Sequence, residues 1–163
     1  MPATYDPIAT QTLGSAAASI TFSSIPATYT DLFFVVNGNN VTAASYLFLR
    51  FNNDTGSNYS YTNLIGDGSA TASQRQSSIS LIRLNANQSG STSIWKINVM
   101  NYSNTTTNKT MLSRFDFGGT LGGAEAFVGL WRSTSAINQV DFIPNTGNLA
   151  AGMSITLYGI KAA

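Results

Sequence analysis

Short apolar runs separated by clusters of Asn, Gly, Asp and Ser recur along this 163-residue chain, and that alternation leaves few folds open. The clusters are Asn37-Gly38-Asn39-Asn40, Asp54-Thr55-Gly56, Gly66-Asp67-Gly68, Gly118-Gly119 with Gly122-Gly123, and Asn145-Thr146-Gly147-Asn148. Glycine reaches positive φ without steric cost, and Asn and Asp tolerate it, so each cluster favours a turn. The runs between them are short and rich in β-branched residues. Glutamate and lysine, which favour helix, are scarce.

Read as strands, the runs cover residues 18–22, 31–37, 45–51, 79–84, 92–101, 110–115, 126–132, 137–143 and 153–161. The second carries Leu32, Phe33, Phe34, Val35 and Val36 without alternation, the pattern of a central strand covered on both faces. In the third, Leu47, Leu49 and Phe51 oppose Tyr46, Phe48 and Arg50. In the fifth, Trp95, Ile97 and Val99 oppose Ile94, Lys96, Asn98 and Met100. About nine strands at this spacing predict an all-β, antiparallel β-sandwich in a single domain. One short helical turn is expected near residues 69–76. Residues 1–12, with Pro2 and Pro7, read as an extended N-terminal arm ahead of a sandwich over residues 13–163. The start carries no basic segment followed by an apolar stretch, so no secretory signal is expected, and the chain reads as a self-contained module.

The side-chain inventory is unusual. There is no histidine, no cysteine and a single glutamate, Glu125. Histidine is the usual general base at neutral pH, and cysteine is the usual thiolate nucleophile and soft metal ligand. Without them, serine nucleophiles lack a base. Lys96, Lys109 and Lys161 stand in no serine–lysine signature. Asp54, Asp67, Asp116 and Asp141 are the carboxylates that an acid–base pair for glycoside cleavage would draw on, but no spacing brings two together, and Asp is common in turns. The oxygen-rich stretch Asn52-Asn53-Asp54-Thr55-Gly56 is a candidate calcium loop lacking the alternating acids and terminal glutamate of a dedicated site, so a tight turn is expected there. Catalytic activity, a resident metal and a cofactor are not expected.

Charge narrows the partners. Only 9% of residues are charged and the net charge is +1, while 43% are apolar. The basic residues Arg50, Arg75, Arg83, Lys96, Lys109, Arg114, Arg132 and Lys161 are scattered in the sequence, so no nucleic-acid footprint is expected. No window of about 18 apolar residues exists, so no membrane span is expected. Few charges guard the sheet edges, which predicts a homo-oligomer, cyclic in the simplest case.

Trp95, Trp131, Tyr59, Tyr61 and Tyr102 lie beside Asn- and Ser-rich segments, where amide and hydroxyl groups around an aromatic face suit a sugar. The tryptophans fall on predicted strands and are expected in the core. Tyr59, Tyr61 and Tyr102 remain candidates for glycan or partner contact. The polar run 101–109 joins two strong strands and reads as a hairpin tip or an intersubunit contact.

Several stretches, taken together, carry a resemblance. They are Tyr5-Asp6-Pro7-Ile8-Ala9-Thr10, Ser19-Ile20-Thr21-Phe22-Ser23-Ser24-Ile25-Pro26-Ala27-Thr28-Tyr29-Thr30-Asp31-Leu32, and Leu49-Arg50-Phe51-Asn52-Asn53-Asp54-Thr55-Gly56-Ser57-Asn58-Tyr59-Ser60. The polar run 101–110, Val128-Gly129-Leu130-Trp131-Arg132-Ser133 and Leu157-Tyr158-Gly159-Ile160-Lys161 complete them. The set resembles small jelly-roll-like structural proteins of tailed bacteriophages, nearly throughout the chain. The resemblance implies a sandwich of jelly-roll type and a virion component, on the capsid surface or in a fibre. The expected role is a capsid decoration (cement) protein, a homotrimer by preference, that binds the major capsid protein or another virion protein. Tyr5, Pro7 and Ile8 would then belong to an arm touching the shell or a neighbour. The alternative is a tail or head fibre module that recognises host surface glycans.

Overall fold

The computed structural model describes residues 4–38, 45–87, 93–117 and 123–161. Among the described residues there are twelve strands and no helix. In chain order they are β1 (Tyr5–Thr12), β2 (Ile20–Phe22), β3 (Asp31–Gly38), β4 (Ser45–Phe51), β5 (Tyr59–Gly66), β6 (Thr71–Ile79), β7 (Ile82–Asn87), β8 (Ser93–Met100), β9 (Lys109–Phe117), β10 (Gly123–Trp131), β11 (Val140–Pro144) and β12 (Ser154–Ile160). They form two antiparallel sheets: an eight-stranded one in the order β1-β12-β3-β8-β9-β10-β5-β6, and a four-stranded one in the order β2-β11-β4-β7. The protein is thus the expected single-domain all-β sandwich. A jelly roll winds eight strands into two sheets as two Greek keys, whereas here twelve strands divide eight to four.

Alternation decides which side chains enter the core. On β8, Ser93, Trp95, Ile97 and Val99 are buried, while Ile94 and Lys96 are exposed. Between the sheets, Phe22, Phe34 and Phe142 meet edge to face, with centroids 5.4–6.4 Å apart, and Trp95 packs on Phe115 at 4.9 Å. Such geometry suits the ring quadrupoles. β7 lies against β5, β9 and β10, so the smaller sheet covers only the inward face of the larger one.

Four expectations need correction. The N-terminal arm is extended but not free: Tyr5–Thr12 pairs with β12 as an edge strand, with a register shift between Pro7 and Ala9. The helical turn near residues 69–76 is instead the start of β6, all exposed from Thr71 to Ser78. Asp67 Oδ1 accepts from Ser69 N (2.9 Å) and Ala70 N (2.7 Å), and Gly68 has positive φ, which folds β5 back onto β6 as a hairpin. The run 79–84 breaks in two because Ser78 adopts φ 56° and the chain crosses from β6 in one sheet to β7 in the other. On β3, Leu32, Phe34 and Val36 are fully buried but Phe33 and Val35 only half so, because the smaller sheet does not cover the outside, where Phe33 packs with the Tyr5 and Tyr158 rings.

The polar run after β8 is a hairpin loop. Asn101 takes positive φ, and Asn104 Oδ1 accepts from Thr106 N (2.7 Å) and Thr107 N (2.9 Å).

Candidate functional site

Four of the five large apolar side chains exposed among the described residues, Leu64, Ile94, Leu112 and Val128, lie on the outward face of β5, β6, β8, β9 and β10. The smaller sheet covers the opposite face, so nothing in the chain's described residues covers this one. Cross-strand pairing sets its rows. One row runs Lys96–Arg114–Ala126–Leu64–Ser73 across β8, β9, β10, β5 and β6. The next runs Asn98–Leu112–Val128–Thr62–Arg75 on the same strands. Ile94, Asp116 and Ala124 lie one row to the other side.

The face exposes large apolar groups: Leu64 is 64% exposed, Val128 50%, Leu112 45% and Ile94 42%. Leu112 pairs with Val128, and Leu64 lies diagonal to Val128, so three of these groups neighbour one another, as on an interaction surface. The patch leads into an open groove of about 1270 Å³ whose rim includes Leu64, Ser73, Ile94, Lys96, Arg114 and Asp116.

Charge is concentrated here too. Arg75, Lys96 and Arg114 stand on the face, and Arg132 borders it with Nη2 donating to Ser60 Oγ at 3.1 Å. Four of the eight basic residues scattered in the sequence are therefore gathered by the register. Lys96 and Arg114 sit directly opposite one another, a pairing that like charges make unfavourable. Asp116 is the one carboxylate on this face. The single ion pair among the described residues lies elsewhere, Lys161 Nζ to Asp6 Oδ2 at 2.5 Å.

The residues singled out in the sequence fare differently. Tyr59, Tyr61 and Tyr102 are buried, none more than 2% exposed, so their rings belong to the core and offer no face to a sugar. Tyr102 Oη donates to the carbonyl of Pro26 and accepts from Tyr29 N at 3.4 Å. Trp95 and Trp131 are buried as expected. Tyr5 is exposed, Pro7 is exposed and Ile8 is half-buried at the β1 edge. Asp54 Oδ1 accepts from Gly56 N (2.8 Å), and Oδ2 from Asn58 Nδ2 (2.9 Å) and Trp131 Nε1 (2.7 Å), so the oxygen-rich loop spends its carboxylate on its own turn. Burial pushes that carboxyl up, and the bonds from Trp131, Asn58 and Gly56 with nearby Arg50 outweigh it and hold it below the usual range. Asp67 serves the β5–β6 turn, and Asp141 accepts from Thr21 Oγ1 (2.7 Å) and Gln139 Nε2 (3.0 Å). Each of these carboxylates is engaged by hydrogen bonds of its own. Among the described residues no three of His, Cys, Asp and Glu cluster to hold a metal.

Two groups escaped the sequence reading. Lys109 is buried, with Nζ donating to Thr107 O (2.7 Å) and Thr134 O (3.2 Å), and burial lowers its pKa. Glu125 is 3% exposed, with Asn63 Nδ2 donating to Oε1. The outward pattern of β8 was legible from Ile94, Lys96 and Asn98, but the juxtaposition of Lys96 with Arg114 and of Leu64 with Ala126 depends on cross-strand register. No family model matches the chain. No curated protein matches it significantly either.

Proposed function

We propose that this protein is a structural binding component of a bacteriophage virion, a capsid decoration (cement) protein that oligomerises and binds the capsid surface through the major capsid protein or another virion protein. The observation that carries the reading is the division of labour in the sandwich. One face of the larger sheet is spent on a dense core and the other is left open, with Leu64, Leu112 and Val128 exposed. The resemblance to phage structural proteins supports it. Decoration subunits hold a shell by many modest contacts, which multivalency makes effective.

The oligomer, a homotrimer by preference, is supported by the edges. The larger sheet ends in β1 and β6. β6 is exposed over eight of its nine residues, and Arg75 is the single charge on it that could discourage pairing. No cofactor, nucleic acid or membrane enters this reading. The fibre alternative loses its sugar contacts, since Tyr59, Tyr61 and Tyr102 are buried.

The test is binding to emptied or expanded capsids of a virus that encodes this chain. Saturable occupancy and a higher capsid melting temperature are expected. No occupancy and an unchanged melting temperature would defeat the reading.

A further inference from the structure

We propose that the outward face of β5, β6, β8, β9 and β10 docks onto an acidic protein surface, with the apolar patch meeting apolar side chains and Lys96, Arg114 and Arg75 meeting carboxylates. This rests on reading the protein as a binding component and names the surface and its partner's chemistry.

The argument begins with an imbalance. The face and its border hold four cations and one carboxylate, Asp116. Lys96 and Arg114 face each other across neighbouring strands, about 5 Å apart in the pairing direction, with no ion pair among the described residues to offset their repulsion. A chain with so few charges gains nothing from that placement while alone. It gains once carboxylates arrive between them. Leu64 and Val128 separate the Arg114 side of the face from Arg75, which lies one row along and three strand spacings across, about 14 Å in the pairing direction, at the β6 edge. An apolar centre flanked by charges of one sign is the usual anatomy of a protein interface.

Other occupants fit less well. A second copy fits less well because it offers only its own Asp116 against four cations, its remaining carboxylates being engaged within its own chain. Asp6 pairs with Lys161, Asp31 accepts from Asn101 N, and Asp54, Asp67, Glu125 and Asp141 accept from their own neighbours. A glycan or nucleic acid would want exposed rings to stack on, whereas Tyr59, Tyr61 and Phe115 on these strands turn inward. A lipid surface would want Trp or Tyr at its interface, and the patch is Leu, Ile, Val and Ala.

The test uses the full chain and the double variant Lys96→Gln/Arg114→Gln, with Ala27→Glu/Thr28→Glu, at exposed sites, as a control of identical net charge. The first probe is a soluble peptide alternating glutamate with leucine, titrated at low and high salt. The second is the capsid. Binding of the peptide that falls with salt, weakens about tenfold in the double variant and is unchanged in the control is the expected result. The melting temperature of the double variant should hold or rise, since a repulsion has been removed. Equal peptide binding by the double variant and the wild type would overturn the proposal. So would loss of self-association in the double variant, which would assign the face to a second copy, or salt-sensitive binding to phosphatidylserine vesicles, which would assign it to lipid. Peptide binding without capsid binding would defeat the decoration reading and leave this one standing. Capsid binding indifferent to Lys96 and Arg114 would do the reverse.

Discussion

Trp131 Nε1 donates to Asp54 Oδ2 at 2.7 Å, so the last residue of β10 is tied to the turn that follows β4 in the other sheet. Tyr59 stacks on the same indole, with centroids 6.2 Å apart and 15° between planes, and its hydroxyl accepts from Phe51 N at 3.1 Å. Asn52 and Asn53 both take positive φ to aim the turn. A loop that reads as a calcium candidate is thus the clamp that closes one end of the core.

Asp54→Ala should therefore destabilise the fold by about 1–3 kcal/mol, because the Trp131 N–H is left without its acceptor. The pH dependence follows from the depressed carboxyl. The ionised form is favoured by the folded state, so its contribution is fully present above the ordinary carboxylate range and is lost as pH falls through the folded value. Urea midpoints measured from neutral to strongly acid pH should fall in the wild type and fall less in Asp54→Asn. Parallel curves would remove Asp54 from the account.

The three buried tyrosines separate by their hydroxyls. Tyr59 Oη lies 3.1 Å from both N and O of Phe51, and Tyr102 Oη bonds Pro26 and Tyr29, whereas Tyr61 Oη has no hydrogen-bond partner. Tyr59→Phe and Tyr102→Phe should each cost about 1 kcal/mol, and Tyr61→Phe should be neutral or stabilising. Alanine at any of the three should cost about 3–5 kcal/mol through the cavity it leaves. Chemical denaturation of the six variants checks the order. A Tyr59→Ala protein of native stability would mean the ring is not in the core.

The fold class was legible because the strong strands alternate and the turns carry Gly, Asn and Asp, as at Asp67-Gly68 and Asn145–Gly147. β5 and β6 were not. Thr71–Ile79 has no apolar alternation, since both of its faces meet solvent, and Tyr59–Gly66 looked like loop beside its Asn and Ser neighbours. Tyr59 and Tyr61 were misplaced for the same reason, because they point inward only once β5 is recognised as a strand. β1 was hidden by Pro7, which an edge strand tolerates and an interior one does not. The positive face was hidden more deeply. Lys96 and Arg114 are 18 residues apart, and only the β8–β9 register sets them side by side.

Gly159 illustrates a constraint of close approach. A Cβ there would lie 2.3–2.4 Å from three ring carbons of Tyr29, so the ring rests on bare β12 backbone. A Cβ at Gly129 would lie 2.8 Å from Met111 Cγ and 2.9 and 3.2 Å from Ile82 Cδ1 and Cγ2, a less severe approach than that at Gly159. Gly159→Ala should cost about 1–3 kcal/mol as an overpacking change, and more than Gly129→Ala. Thermal melts of the two variants decide it, and the reverse order would refute the contact.

Glu125 carries the opposite pH sign to Asp54. It is the chain's single glutamate, and it is buried on the inward face of β10, where Oε2 has no hydrogen-bond partner and Asn63 serves only Oε1. Burial pushes its carboxyl above the ordinary range, and the Asn63 bond and the Arg83 charge offset that only in part. The folded state therefore holds the proton more tightly than the unfolded one. Its favourable contribution is present below the unfolded carboxylate value and is lost as pH rises through the folded value. Glu125→Gln keeps the acceptor for Asn63 and removes the charge, so it should stabilise the protein by about 1–2 kcal/mol at neutral pH and leave it nearly unchanged in acid. Urea denaturation of wild type and Glu125→Gln across that range measures the difference directly. A variant that is less stable than wild type at neutral pH would show that Glu125 is held ionised by a stronger partner than Arg83.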